Sequence, residues 1–345
     1  MELIREGSAE IRVFKHKISR KMPVFYNKIM KKNRDISILL LKALKIRDMV
    51  VADPLAGSGI RAIRFMLELD NVREIHVNDY ADNSIQAIRE NLERNGLGND
   101  SRIKISQTEA NIFLMRTKGF HYIDIDPFGS PNPFLDAAAK KIARNGIMAV
   151  TATDTSALCG TYPRACKRKY WAVPKRDELM HETGLRILIR KVQLVGAQYD
   201  KALIPVLSYS SDHYTRVFFA SRKGKSRVDK MLAEHNMFNN CGPMWTGNMW
   251  DSKLVRKMIR INDDKILDKF LTIIYEESRI GAAGFYNLHA FCKRHNLRLK
   301  KTDEIKKEII DNGYSVSGTH FTPLGIRSDI PEEELVRILQ TKHDS

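Results

Sequence analysis

The sequence predicts an α/β protein with a parallel, doubly wound sheet, followed by a smaller α+β module. Three observations lead there. From about residue 49, short apolar runs alternate with helix-like stretches, the pattern of βαβ units. Successive strand-like runs end in acidic residues, and in such sheets ligands collect at the carboxyl ends of strands. The charged stretch KGKSRVDK (223–230) then breaks the alternation, and a mainly helical pattern follows it.

Residues 1–48 read as a short β element and then a helix at about 35–45. The strand-like runs are MVVADPL (49–55), EIHVNDY (74–80), RIKISQTE (102–109), YIDIDP (122–127) and IMAVTATD (147–154). Helix-like segments at 60–69, 83–95, 110–117 and 133–144 lie between them. In the first of these, Ile60, Ile63 and Leu67 recur at helical spacing, as on a helix that covers a sheet. Asp82 or Asn83 can cap the second and Gly96 can stop it. A polar loop at 155–176 leads to a helix at 177–195. KALIPVLSYSS (201–211) and HYTRVFFASRK (213–223) can pair as a hairpin, which brings the sheet to seven strands. Residues 231–262 are mixed in character and contain CGPMWTGNMW (241–250). From about 263 to 345 the order is three helices, β-like segments and a final helix, the pattern of a winged-helix-like module.

Composition narrows the function classes. At 43% hydrophobic and 29% charged residues the chain is an ordinary soluble one. No apolar run approaches the ~18–20 residues of a membrane span, and charges interrupt the N-terminus where a secretory signal would be apolar. A membrane partner is therefore not expected. Lys and Arg number 58 against 41 Asp and Glu, a net charge of +17; the simplest partner for such a charge is a nucleic acid. Cys159, Cys166, Cys241 and Cys292 form no CxxC pair, and His213, His235 and His289 lack ligand spacing. No metal site is expected, and the cysteines read as free thiols in a reducing cytoplasm.

VADPLAGSGIRAIRF (51–65) reads as strand, glycine-rich turn and helix. Gly57 and Gly59 let a backbone approach a ligand closely beside the unpaired N–H groups of a helix start. The turn has neither the GxGxxG spacing of a dinucleotide site nor the GK[ST] of a P-loop, so a nicotinamide dehydrogenase is a weak reading. Asp53 would repel a pyrophosphate and suits a ligand with a cationic amino group, such as S-adenosylmethionine (SAM). Asp79, about 20 residues past the loop, stands where an acid meets a ribose. Glu109 and Ala110 end the third run, a natural edge for an adenine. Any one of these acids could instead cap a helix; acids at four successive strand tips, Asp126 included, point to a shared site.

Asp126-Pro127-Phe128 carries the chemistry. The lone pair of an exocyclic base amine is delocalised into the ring, and attack on a sulfonium methyl requires it to localise. A carboxylate accepting one N–H, with a backbone carbonyl accepting the other, holds the nitrogen in that geometry and can then take the proton. Pro127 fixes the turn, and Phe128 offers a face for the base. Asp124, on the same strand face, reads as a supporting acid satisfied by backbone or cofactor. A cap on the helix near 133 is the plainer alternative for Asp126.

With these residues the chain resembles the tRNA (guanine-26-N2)-dimethyltransferase family. The likeness spans nearly the whole sequence, through EGSAEI (6–11), VFYNKIMKKNRD (24–35), GSGIRAIRF (57–65), IDIDPFGSP (123–131), TDTSALCGTYPRACKRKY (153–170), HETGLRIL (181–188), CGPMWTGNMW (241–250) and SGTHFTPLGIRSD (317–329). It implies a Rossmann-like, seven-stranded SAM-dependent methyltransferase domain at 1–225 with an N-terminal extension, a connecting segment at 226–262, and a C-terminal tRNA-binding, winged-helix-like α+β domain at 263–345. It also implies that Arg34, Arg61, Asp79, Glu109 and Ala110 hold SAM, beside Asp53 at the first strand's tip and Gly57 of the loop, which the residues themselves suggest. Asp126 is then the catalytic acid/base, and Phe25 and Phe128 sandwich a flipped guanine. The partner would be tRNA, methylated at N2 of guanine 26 by a cytoplasmic monomer. Some members bind zinc through cysteine pairs; Cys241 has no nearby partner, so no zinc is expected. RACKRKYWAVPKR (164–176), with six Lys/Arg among thirteen residues, suits phosphate contacts and stacking. An N6-adenine methyltransferase and a non-catalytic RNA-binding protein are the alternatives.

Overall fold

The structure, a computed structural model, describes residues 2–13, 24–211 and 213–340. Residues 14–23, inside the stretch read as a short β element and a helix, lie outside the described residues. The chain forms two compact units. One takes the residues through Asp154 together with Lys191–Val206 and Tyr214–Ala233. The other takes Thr155–Arg190, the stretch after Val206 through His213, and the chain from Glu234 on.

The chain opens with an antiparallel hairpin, β1 (Glu2–Glu6) and β2 (Ala9–Val13), and then α1 (Lys31–Leu44). The sheet follows: β3 (Met49–Asp53), α2 (Ile60–Glu68), β4 (Val72–Asn78), α3 (Asp82–Arg94), β5 (Ile103–Ser106), α4 (Ala110–Met115), β6 (Phe120–Ile125), α5 (Leu135–Lys141) and β7 (Ile142–Ala152). Next come α6 (Thr155–Leu158), α7 (Pro163–Tyr170), α8 (Met180–Ala197), β8 (Lys201–Ser211), β9 (Tyr214–Lys223) and α9 (Lys225–Ala233). The remainder is β10 (His235–Phe238), β11 (Cys241–Trp245), α10 (Ser252–Ile261), α11 (Lys265–Glu277), β12 (Tyr286–Asn287), α12 (Leu288–Arg294), α13 (Thr302–Asp311), β13 (Val316–Thr319), β14 (Thr322–Ser328) and α14 (Glu332–Gln340).

The sheet has the strand order β5-β4-β3-β6-β7-β9-β8. It is mixed rather than wholly parallel, because β9 pairs antiparallel with β7. Val51, Ile75, Val77, Ile123, Ile125, Val150 and Phe219 are buried in it; strands covered on both faces read as continuous apolar runs, which is why the sequence exposes them. The helix expected at 133–144 ends at Lys141, where β7 begins in register with β6 through Phe120 and Ile142. The N-cap of α3 is Ala81, and neither Asp82 nor Asn83 fills that place.

The stretch read as a polar loop at 155–176 contains α6 and α7. Pro163 sits in the first turn of α7, where it costs no hydrogen bond. Cys166 and Tyr170, four residues apart, are both fully buried and anchor one face. Trp171 ends the helix in a left-handed conformation (φ 56°) and donates its N–H to the Lys167 carbonyl. Arg164, Lys167, Arg168 and Lys169 are exposed. The charged boundary at 223–230 forms most of α9, and a β10–β11 hairpin occupies part of the mixed region. Near the C-terminus, β12 and β13 both pair antiparallel with β14. Leu288, Phe291, Ile305, Ile309, Ile326 and Leu335 form the buried core of these elements. All four cysteines are buried free thiols.

Candidate active site

The strand order reverses direction between β3 and β6, and a ligand crevice opens at such a switch point. Asp53 ends β3, and Asp126 follows the last residue of β6. Asn78, which the sequence reading passed over, ties the neighbouring tips together. Its amide donates to the carbonyls of Pro54 and Thr108 (both 3.0 Å), and its Oδ1 accepts the Thr108 N–H (3.1 Å). Asp79 accepts the Gly57 N–H at 2.8 Å and the Ala81 N–H at 3.1 Å, so it braces the glycine loop from the tip of the second strand. Gly57 has φ +55°, and a Cβ there would stand 2.9 Å from the Phe25 carbonyl oxygen; only glycine lets the loop lie this close to the segment before α1. Glu109 caps α4 by accepting the N–H groups of Asn111 (2.8 Å) and Ile112 (3.1 Å), and Ala110 is the first residue of that helix.

Phe25, Arg34, Asp53, Gly57, Arg61 and Asp126 line one cleft. Its enclosed volume, about 50 Å³, takes a small part of a ligand; Asp79, Glu109 and Phe128 lie outside its lining. A larger cavity of about 590 Å³ is lined by residues of the other unit, including Glu178, Phe285 and Arg294. It holds neither the glycine loop nor a strand-tip acid of the sheet; those features meet at the smaller cleft.

Arg61 is the electrostatic hub. Its Nη2 meets Asp126 Oδ2 at 2.5 Å, and its Nη1 lies 3.1 Å from Asp124 Oδ2 and donates to Asn33 Oδ1 at 3.1 Å. Asp124 is satisfied by side chains rather than by the backbone. Arg216 donates to both its oxygens (2.7 and 3.1 Å), and the Tyr122 hydroxyl donates to Oδ2 at 2.6 Å. Burial would raise the Asp124 carboxyl, but Arg216 and Arg61 outweigh it and hold it below the usual carboxylate range. Asp53 is different. It is 3% exposed, and its Oδ2 has no hydrogen-bond partner. Burial pushes its carboxyl up to about 7, Arg61 pulling it down less than burial, Asp124, Asp126 and Asp79 push it up.

The Asp126 loop is pinned at Gly129, which accepts the Thr153 N–H (3.0 Å) and donates its own N–H to the Thr153 hydroxyl (2.6 Å). The short turn before α5 has no side-chain cap, so Asp126 does not serve there. Phe25 and Phe128 meet edge to face with centroids 4.2 Å apart, so the two rings are in direct contact.

Tyr122, Arg216, Asn33 and Glu6 were not read as functional. Arg216 carried a weak signal, a single cation inside the apolar run of β9. Glu6 opens the EGSAEI motif of the resemblance, but no local pattern joins it to Arg34, Arg64 and Tyr26, which it bonds farther along the chain.

A family model described as N2,N2-dimethylguanosine tRNA methyltransferase matches residues 7–241 and 233–340. The chain belongs to this family. Among its relatives is the tRNA (guanine(26)-N(2)/guanine(27)-N(2))-dimethyltransferase of Aquifex aeolicus, 37% identical over 99% of this chain and 96% of that one. The tRNA (guanine(26)-N(2))-dimethyltransferase of Methanobrevibacter smithii is 36% identical over 100% of this chain and 98% of its own. A solved structure of Trm1 from Pyrococcus horikoshii in complex with S-adenosyl-L-methionine superposes with a TM-score of 0.90 at 34% identity, covering 98% of this chain and all of that one. Membership of the guanosine-methylating family displaces the N6-adenine and non-catalytic readings. No described helix is long and apolar enough to cross a membrane.

Proposed function

We propose that this member of the dimethylguanosine tRNA methyltransferase family transfers methyl groups from SAM to the exocyclic N2 of guanine 26 in tRNA, by means of the cleft between β3 and β6. The observation that carries this reading is the buried Asp53 oxygen without a donor, set in one cleft with Asp126 at the switch point. A ligand's ammonium supplies the missing donor, so the residues present fit the amino-acid end of SAM. Asp53, Arg34 and Arg61 hold that end, and Asp79, with Glu109 and Ala110, lies along the strand tips for the nucleoside. When bound, SAM supplies an electrophilic methyl on a sulfonium sulfur.

Asp126 accepts an N–H of the guanine amine, which localises the nitrogen lone pair, and then receives the proton that the amine loses. Arg61 must share its hold on Asp126 for this to happen. Phe25 and Phe128 part to take the flipped base between them, and the Gly129–Thr153 bonds keep the loop in place while they do. Exposed cations on α7, with Trp171 beside them, suit the RNA backbone. The strand order β12-β14-β13, with α12 and α13 ahead of the β13–β14 hairpin, supports a winged-helix-like reading of the C-terminal domain, and its place is on tRNA.

Mass spectrometry of unmodified tRNA transcripts after incubation with SAM tests the reading. The expected product is N2-methyl- and N2,N2-dimethylguanosine at position 26, absent when guanine 26 is replaced. Methylation that persists in that control at positions other than 27, or appears on adenine, refutes it.

A further inference from the structure

Glu6 stands at the turn of the N-terminal hairpin, remote in sequence from every residue of the cleft, yet it is 2% exposed and accepts four hydrogen bonds from three side chains. It takes the Arg34 guanidinium in a two-point fork, Nε to Oε1 at 2.6 Å and Nη2 to Oε2 at 2.5 Å. Oε1 also accepts from Arg64 Nη1 at 2.9 Å, and Oε2 accepts the Tyr26 hydroxyl at 2.9 Å. Arg34 in turn donates to the Asn27 carbonyl at 3.1 Å and lies 5.3 Å over the Tyr26 ring. None of these bonds uses Arg34 Nη1, and Arg34 lines the cleft with Asp53.

The hairpin that presents Glu6 is itself fixed. Ser8 N–H donates to Glu68 Oε1 (3.1 Å), Glu10 N–H to Asn95 (2.9 Å) and Arg12 N–H to Asn91 (2.8 Å). Gly7 turns at φ +56°, where a Cβ would stand 2.3 Å from Glu68. The carboxylate is thus held on a braced turn. Burial would raise it, but Arg34 and Arg64 bring it down to about 2, so it stays charged.

We propose that Glu6 is a positioning residue for the transfer: through Arg34 it sets the cofactor side of the cleft, and through Tyr26 it sets the adjoining Phe25 on the base side. The first half rests on the reading that Arg34 meets SAM. A fork of two parallel bonds fixes the plane of a guanidinium as well as its place, so Arg34 is delivered to the cleft in one orientation. Tyr26 adjoins Phe25, and its hydroxyl bond to the same carboxylate limits how far that segment swings when the rings part. One carboxylate therefore couples the geometry of both sides.

Calorimetric SAM affinity of Glu6→Gln, Arg34→Lys and the double variant tests the cofactor side. Glu6→Gln is expected to weaken SAM binding about tenfold, and the double variant to be no worse than the weaker single one. A merely structural Glu6 would lower the unfolding temperature and leave the affinity of the folded protein unchanged. Unchanged affinity in Glu6→Gln, or additive losses, overturns the proposal. If Arg34→Lys itself binds SAM normally, the assignment of Arg34 to the cofactor has failed, and the first half falls with it. Tyr26→Phe leaves every ion pair in place and folds even if Glu6→Gln does not. It is expected to raise KM for tRNA about fivefold with SAM affinity unchanged; tRNA kinetics like those of the parent protein overturn the base-side half.

Discussion

With its carboxyl pushed up to about 7, Asp53 changes charge near neutral pH, and the consequence runs in one direction. An ammonium placed beside it favours the ionised form, so SAM binding should release a proton, and affinity should climb as pH rises from about 6 to about 7.5. Calorimetry in buffers of different ionisation enthalpy reads the proton directly; no buffer dependence at pH 6.5 would mean that Asp53 does not meet a cation. The folding side has the opposite sign. A raised carboxyl stabilises the fold fully below pH ~4 and loses that contribution as pH rises toward ~7, so ionised Asp53 costs the ligand-free protein on the order of a few kcal/mol. Asp53→Asn should therefore gain unfolding temperature relative to the parent as pH goes from 4 to about 8, while binding SAM more weakly. Asp126→Ala should separate the two functions otherwise: kcat falls about 10²–10⁴-fold and SAM affinity stays within about twofold. Near-normal turnover would remove Asp126 from the chemistry.

Among the elements, α7 makes a separate prediction. Its Cys166–Tyr170 face is buried and its cations point outward, so Arg164→Ala with Lys167→Ala and Arg168→Ala removes charge without touching the packed side. Each lost phosphate contact should reduce the slope of log affinity for tRNA against log salt by about 1, with SAM affinity unchanged. An unaltered slope would show that α7 does not meet the RNA. This element also marks where sequence reading reached its limit. PRACKRKY is so polar that only its leading proline and two apolar side chains four apart signal a helix, too little to outweigh a loop. The strands around the cleft were legible because fully buried strands make long apolar runs and end in acids visible one at a time. Asp53, Gly57, Arg61 and Asp126 do come together. Their supports were not legible, since Arg216 reaches Asp124 across 92 residues and Glu6 reaches Arg64 across 58, distances over which no local pattern carries information. At Glu109 the structure shows the plainer of the two readings, a cap on the helix that follows β5.

At the scale of the whole molecule, charge and acid response follow from the same bonds. A net +17 favours encounter with RNA at low salt and weakens its influence as salt rises. Glu6 and Glu182 both have their carboxyls lowered to about 2, by Arg34 and Arg64 in one case and by Arg327 and Arg186 in the other, in each case against a burial effect that would raise them. Depressed carboxyls stabilise above the ordinary value of 4.5 and lose that contribution as pH falls toward 2, on the order of 3 kcal/mol each. Urea unfolding followed from pH 5 to about 2.5 should show a steep loss of stability, shallower in Glu182→Gln; parallel curves would deny that the Arg327 pair titrates with folding.

The edge contact of Phe25 with Phe128 gives the cleft a resident competitor. An aromatic pair of this kind contributes about 0.5–1.5 kcal/mol, and on the proposed reading a guanine displaces it before stacking on either ring. A base sandwiched there would gain stacking on the order of 1–3 kcal/mol and forfeit one ring contact, so its apparent affinity would be lower than the stacking alone provides. Replacing Phe128 by alanine removes the stack and the competitor together. The loss measured for that variant will therefore understate how strongly the ring holds the base.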